Sequence, residues 1–390
     1  MRRLLPLCLL SLLACSEDPP PPPPPAPLPP PPAPMASGRA VADARAFALV
    51  PVNDGALFLY GAPHREGGGV RVLPLGMLGE ARGPERPITR RGAAGGGVAE
   101  QHVSQAVEVA AASSGQRVGV AWIIDYGTHL ETQNAFSPDG GVRFGPPSDL
   151  GPSVRVPADQ GGRLAMAADE TGALALYYRI PEAACVALEG RCARFSRVGV
   201  GDQARGASRG TEPLEVRRPC EPFVGAALWR AGTWYHGICT VDPAPKTTVY
   251  AIRPAVSYAV PVDMPDGCRP SSIAPLDDGV AVVSVCEGVT RIQQLDEMGR
   301  RGARWDSPER SVRCEDGRPA LHLDGDRDGK LRLGEATDHL EGLLPEAIAP
   351  RGARAVWTGQ ALLVAVPVGH DVSLRRYQCV RGRFDRTDVR

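Results

Sequence analysis

Lysine is nearly missing from this chain: only Lys246 and Lys330 occur, and arginine supplies the rest of the 44 basic residues. These are matched by 44 acidic residues, so the net charge is zero and no global field draws nucleic acid or anionic lipid. Aromatics are scarce, at 5%, and never interleave with a basic stripe, which excludes a base-stacking platform. No apolar run approaches the roughly 20 residues that a transmembrane helix needs. Cys-x-x-Cys and His-x-x-x-His spacings do not occur, and no glycine loop opens a helix, so zinc clusters and phosphate cradles are excluded. His64, His102, His129, His236, His322, His339 and His370 are scattered singly and read as surface or packing residues. No nucleophile, base and orienter can be nominated together.

What the chain does contain begins with MRRLLPLCLLSLLAC. Two arginines lead, and a short apolar run from Leu4 to Ala14 suits the core of a signal peptide. Leu12-Leu13-Ala14-Cys15 resembles the lipobox of bacterial lipoproteins. The resemblance implies cleavage before Cys15, lipid on its thiol and acylation of its new amino group. Ser16 follows, rather than aspartate, and by resemblance to Gram-negative lipoproteins this directs the protein to the outer membrane. From Pro19 to Pro34 the sequence is almost pure proline. Proline lacks an N–H and fixes φ, so the tract forms neither helix nor sheet. At about 3.1 Å per residue it reaches on the order of 50 Å as polyproline II. The expected organisation is a signal peptide over 1–14, an anchor and linker over 15–38, and a folded domain over 39–390.

Beyond the linker roughly 350 residues remain, enough for one large or two medium domains. Seven segments share one pattern, in which an apolar strand, a Gly/Asp turn and a second apolar strand follow one another: 46–61, 106–123, 163–179, 225–241, 271–286, 319–334 and 353–368. Alternation at period two argues strands, and Asp-Gly, Thr-Gly and Ser-Gly steps supply the positive φ of hairpin turns. More polar hairpins follow several of them, at 70–88, 136–147 and 291–306. Two hairpins per unit at a spacing of roughly 50 residues predict an all-β fold, a β-propeller of about seven four-stranded blades. Two β-sandwiches are the alternative. Trp122, Trp229, Trp234 and Trp357 fall on the first hairpins and are expected to pack between blades.

Apart from Cys8 and Cys15, eight cysteines remain, an even number in an exported chain, which implies disulfides. The repeat alignment narrows their pairing. Cys220 and Cys239 flank one first hairpin, and Cys268 and Cys286 occupy matching places in the next, so each pair falls opposite in an antiparallel ladder. Cys185 and Cys192 flank a turn. Cys314 and Cys379 are left, and their bond would tie adjacent blades near the end of the chain.

Two further motifs stand out. Ser137-Pro138-Asp139-Gly140-Gly141-Val142-Arg143-Phe144 resembles the Asp-box of sialidase-like propellers, with Ser137, Asp139, Gly141 and Phe144 at the motif positions and a degenerate echo at Asp296, Gly299 and Trp305. In that family the box is a fold device and carries no chemistry. Arg179-Ile180-Pro181 resembles the sialidase arginine motif, but it follows the box instead of opening the domain, and no tyrosine–glutamate nucleophile pair can be placed. Asp324, Asp326 and Asp328, the Lys330 carbonyl and Glu335 satisfy the EF-hand loop spacing and could hold calcium. Their flanks alternate as strands, and the loop also resembles the calcium hairpins of integrin-type propellers, except that Arg332 stands where a later aspartate is needed.

These observations predict a lipid-anchored outer-membrane binding or scaffolding module for a protein or glycan partner, with no nucleic acid. A sialidase-like glycan-active hydrolase is the rival. Clustered arginines near paired carboxylates would favour the enzyme.

Overall fold

The computed structural model describes residues 39–61, 69–88, 105–153 and, in segments, 164–387. Among these residues there is no helix, and the strands form seven antiparallel sheets that follow one another along the chain. Sheet 1 comprises Phe47–Val52, Gly55–Gly61, Val70–Gly76 and Arg86–Ile88. Sheet 2 comprises Gln105–Ser114, Arg117–Asp125, Leu130–Ser137 and Ser148–Pro152. Sheet 3 is built on Leu164–Ala168, Leu174–Arg179 and Cys192–Val198, edged by Arg209–Gly210 and Leu214–Glu215. Sheet 4 runs from Ala226–Arg230 to Tyr258–Asp266, and sheet 5 from Cys268–Leu276 to Arg301–Ser307. Sheet 6 comprises Glu309–Glu315, Arg318–Asp324 and Gly329–Leu331. Sheet 7 comprises Arg354–Trp357, Ala361–Val368, Asp371–Val380 and Arg383–Arg386.

Within the sheets strands pair with their neighbours in sequence, except that Leu214–Glu215 returns to Cys192–Val198, beside Arg209–Gly210, and that the leading strand Arg39–Val41 joins sheet 7. First strands of successive sheets lie side by side from sheet 1 to sheet 5, and the first strand of sheet 7 lies beside that of sheet 1. Sheet 6 touches sheet 5 through Val289–Leu295 and sheet 7 through Arg383–Arg386. The sheets therefore make a closed circuit, the arrangement of a β-propeller. Arg39–Val41 completes it by pairing with Asp371–Val380, so the beginning of the domain shares a sheet with its end.

The core lies between sheets, not within one central layer. Along Gly55–Gly61 alternate residues face opposite ways: Ala56, Phe58 and Tyr60 pack toward sheet 7, and Leu57 and Leu59 toward sheet 2. Both faces are buried, which is why this strand reads GALFLYG without a polar phase. Trp122 and Trp357 are buried in such inter-sheet layers. Trp229 and Trp234 are cross-strand partners in sheet 4.

The reading of residues 319–334 as a first hairpin is corrected. The first strand of sheet 6 is Glu309–Glu315, so Arg318–Asp324 and Gly329–Leu331 are its second and third strands. Asp324 thus ends the second strand of its sheet, and the calcium-loop residues lead from the second strand to the third. Glu309–Glu315 escaped notice because it carries Glu309, Arg310, Arg313 and Glu315 in seven residues, a charge density unusual for the first strand of a sheet.

Candidate functional site

One end of the circuit gathers the first and third turns of the sheets, because each first strand runs toward it, the second away and the third back. Three of the described third turns, in sheets 2, 5 and 1, share one construction. In sheet 2, Asp139 Oδ1 accepts the Arg143 N–H at 2.8 Å and the Ser137 hydroxyl at 2.8 Å, while Arg143 Nε reaches Asp139 Oδ2 at 3.1 Å. Ser137 Oγ in turn accepts the Gly141 N–H at 2.9 Å. Gly140 and Gly141 have φ of 69° and 82°, where a side chain is strained, and Phe144 packs against the layer holding Leu57 and Trp122. Burial pushes the Asp139 carboxyl up, but the Arg143 N–H, the Ser137 hydroxyl and the Arg143 guanidinium outweigh it and hold the group below its ordinary 3.8.

The echo in sheet 5 repeats this. Asp296 Oδ1 accepts the N–H of Met298 at 2.9 Å and of Arg300 at 2.8 Å, with Arg300 Nε 3.3 Å from Asp296 Oδ2. A third copy was invisible in the sequence. In sheet 1 the Gly76 N–H donates to the Glu80 carbonyl and the Gly79 N–H to that of Gly76, matching the bonds from Asp296 and Gly299. Glycine replaces the aspartate, and Glu80 returns its carboxylate to the Leu78 N–H at 3.1 Å. A Cβ on Gly76 would lie 1.8 Å from Glu80 Oε1, so the glutamate fills the space an aspartate would occupy. A carboxylate moved from the first to the fifth position of a turn leaves no motif to match.

Each of the four described third turns is also held by the preceding sheet. The Tyr235 hydroxyl of sheet 4 donates to the Asp296 carbonyl at 2.9 Å, the Cys314 N–H of sheet 6 to the Gly382 carbonyl at 3.2 Å, and the Thr358 hydroxyl of sheet 7 to the Met77 carbonyl. In sheet 1 the Arg86 guanidinium donates to the carbonyls of Gly141 and Val142. Asp139→Ala should cost about 1–3 kcal/mol, from orphaning the Arg143 N–H and the Ser137 hydroxyl. Because the folded carboxyl titrates below 3.8, its contribution is complete above that value and is lost as pH falls through the lower folded one. Urea unfolding should therefore separate variant from wild type at pH 7 and bring them together at the acid end.

Two further clusters have the residue types of catalysis. Tyr60 donates to Glu85 Oε2 at 2.6 Å, and Arg71 Nη1 stands 3.1 Å from the same oxygen. This is a tyrosine–glutamate–arginine group, with Tyr60 and Arg71 on the second and third strands of sheet 1 and Glu85 just before the fourth, which the sequence did not reveal because 25 residues separate Tyr60 from Glu85. Burial, and then the Glu85 carboxylate it serves, push the Tyr60 phenol above its ordinary 10.0, the opposite of what a nucleophile requires. At the second turn of sheet 2, Thr128 Oγ1 lies 2.9 Å from His129 Nδ1, and His129 Nε2 lies 3.2 Å from Glu131 Oε1. Tyr126 stacks on the imidazole at 5.0 Å. Thr128 and His129 are exposed and the contacts run between near neighbours in the chain, so the order of this group is that of a solvated turn. In sheet 5, Asp306 takes two hydrogen bonds from Arg291 and two from Arg304, and its carboxyl is lowered to about 2, by Arg304 first and Arg291 second.

Of the cysteine pairs, Cys268–Cys286 and Cys314–Cys379 are bonded, with Cα atoms 4.2 and 5.7 Å apart. Cys268 and Cys286 are direct cross-strand partners. Cys192 begins a strand of sheet 3 and Cys239 lies opposite Thr247 in sheet 4; Cys185 and Cys220 lie outside the described residues, as does Cys15. For the calcium loop, Asp324 ends one strand and Lys330 lies on the next, opposite His322, while Asp326, Asp328 and Glu335 are outside the described residues. Arg179 ends the second strand of sheet 3, and Ile180 and Pro181 are likewise outside.

No protein-family model matches the sequence, and no curated protein matches it. Among solved structures, the chain is similar to a PQQ-bound aldose sugar dehydrogenase from Streptomyces coelicolor, at 14% identity and a TM-score of 0.37 over 88% of this chain and 99% of that one. A Trypanosoma rangeli sialidase is similar at 10% identity and a TM-score of 0.38, over 90% of this chain but 59% of the sialidase. A 6-phosphogluconolactonase-like protein from Bacteroides uniformis is similar at 11% identity and a TM-score of 0.44, over 85% and 95% of the two chains.

Proposed function

We propose that this chain is a lipid-anchored outer-membrane protein whose seven sheets are the blades of a propeller, with Asp-box turns, serving as a binding or scaffolding module for a protein or glycan partner. The observation that carries the reading is Leu12-Leu13-Ala14-Cys15 followed by the proline tract, a lipobox and spacer ahead of a closed ring of sheets. Binding is favoured over hydrolysis by the state of the one tyrosine–glutamate–arginine group described above. Its phenol is buried and committed as a donor, and its carboxylate is already taken by two partners. The calcium loop remains part of the proposal, as a hairpin at the second turn of sheet 6 that would take the ion on Asp324, Asp326, Asp328, the Lys330 carbonyl and Glu335.

In a bacterial host the wild type should incorporate labelled palmitate and stay with membranes through a salt wash, since each buried methylene contributes about 0.8 kcal/mol. Cys15→Ser should do neither. A wild type recovered wholly in the soluble fraction overturns the anchor. Turnover of a fluorogenic sialoside that is abolished by Tyr60→Phe would replace the binding module with the hydrolase.

A further inference from the structure

The two disulfides stand in different surroundings. Cys314 lies in an apolar layer with Tyr377 and Phe384, and Cys379 packs against it. Cys268–Cys286 instead has a guanidinium at one sulfur, for Arg291 Nη1 donates to Cys268 Sγ at 3.5 Å. Asp306 accepts from Nε and Nη2 of the same side chain, which turns Nη1 to the sulfur. Arg304 donates to Asp306 as well, so two guanidiniums share one carboxylate and the group beside the sulfur carries surplus positive charge. Ser284 is the cross-strand partner of Arg291 and of Pro270, the next pair along the same face from Cys268 and Cys286. It is fully buried, and its hydroxyl has no hydrogen-bond partner. A disulfide sulfur accepts weakly, whereas a thiolate is an anion and a strong acceptor. The surplus charge and the unpartnered hydroxyl therefore fit the reduced pair better than the bonded one. We infer that Cys268–Cys286 is a thiol–disulfide exchange site for a dithiol partner, with Arg291 and Ser284 stabilising the Cys268 thiolate that opening releases.

The geometry also orders the step. Cys286 is 9% exposed against 2% for Cys268, and it ends its strand at the second turn of sheet 5, so its sulfur is the one open to attack. A thiolate of the incoming dithiol attacks Cys286 Sγ, the bond between the two sulfurs breaks, and Cys268 departs as a thiolate toward Arg291. The second thiol of the dithiol then attacks its own partner sulfur in the mixed disulfide. Cys286 leaves and takes up a proton, the dithiol closes into a disulfide, and a second proton goes to water. Two electrons pass from the dithiol to the cysteine pair. Burial opposes an anion at Cys268, and the surplus cation offsets that opposition. A leaving thiol of lowered pKa also departs faster, so Arg291 favours opening in rate as well as at equilibrium. None of this depends on the lipid anchor.

The test equilibrates the full-length protein in buffers of graded reduced-to-oxidised dithiothreitol, quenches with acid, traps the free thiols with a maleimide and reads each cysteine pair by peptide mass. Expected is opening of Cys268–Cys286 at a ratio about tenfold below that for Cys314–Cys379, since a hydrogen bond to a charged group contributes on the order of a tenfold change in equilibrium. Arg291→Met should raise the ratio needed for Cys268–Cys286 by about tenfold and leave Cys314–Cys379 where it was. Arg291→Lys should recover part of that shift. Ser284→Ala should move the ratio in the same direction by less; it removes a single buried oxygen and carries the test if Arg291→Met does not fold. A side chain that only supported the fold would act the other way, because a loosened hairpin gives up its disulfide more readily. Easier opening in either variant overturns the inference, and so does a wild-type Cys268–Cys286 bond that opens only with or after Cys314–Cys379.

Discussion

Serine in place of both Cys314 and Cys379 should lower the unfolding free energy by about 4 kcal/mol, the loop-closure value for a separation of 65 residues. The bond joins the first strand of sheet 6 to the third strand of sheet 7, beside the hydrogen bond from the Cys314 N–H to the Gly382 carbonyl. Sheet 6 is the weakest part of the circuit in its regular pairing, with three strands among the described residues. Cross-linking it to the sheet that also receives Arg39–Val41 compensates for that at the seam. The comparison is Cys268→Ser with Cys286→Ser, which opens a separation of 18 residues within one hairpin and should cost about 3 kcal/mol. Urea titrations of the two double variants decide the matter. A smaller loss for the Cys314 pair than for the Cys268 pair would mean that this bond does not hold the ring shut.

Gly55→Ala should destabilise by roughly 3 kcal/mol or more, adding an overpacking cost of about 1–3 kcal/mol to a backbone strain of about 1–3 kcal/mol. Gly55 has φ of 146°, and a Cβ there would stand 2.1 Å from the Leu75 carbonyl oxygen and 2.6 Å from the Gly76 carbonyl carbon. Those are backbone atoms of the paired strand, so no rotamer change relieves the contact. The strand they belong to leads directly into the third turn of sheet 1, where Gly76 must leave room for Glu80. The control is Gly359→Ala, where the added Cβ meets nothing within 4 Å and only the positive φ of 94° opposes it. Thermal unfolding of the pair should show a much larger fall for Gly55→Ala; equal falls would leave backbone strain as the whole effect.

What could be read in the sequence follows from how each feature is encoded. First hairpins were legible where alternation and an Asp-Gly or Ser-Gly turn coincide, as at Asp54-Gly55 and Ser114-Gly115. Cys268 and Cys286 were legible because an antiparallel ladder places hairpin ends opposite one another. Sheet 6 was misassigned because burial in a ring is shared between neighbouring sheets, so a strand as charged as Glu309–Glu315 can still open a sheet. The third-turn construction was legible at Asp139, half legible at Asp296 and hidden at Gly76, where backbone geometry is kept while the carboxylate changes position. Contacts between sheets, such as Thr358 to Met77 across 281 residues, have no local signature at all.

The pairing of Arg39–Val41 with Asp371–Val380 also sets an order in time. The strand that starts the domain has no partner until more than three hundred residues behind it have been made, so the earliest part of the fold to appear is the last to be finished. A chain that emerges from its N-terminus onward can build its middle sheets one after another, each on the one before. The ring is sealed only when the final hairpin is present. A product cut short before residue 371 would carry both an open seam and an unpaired leading strand, which marks it for proteolysis or aggregation by the same edge that completes the intact protein.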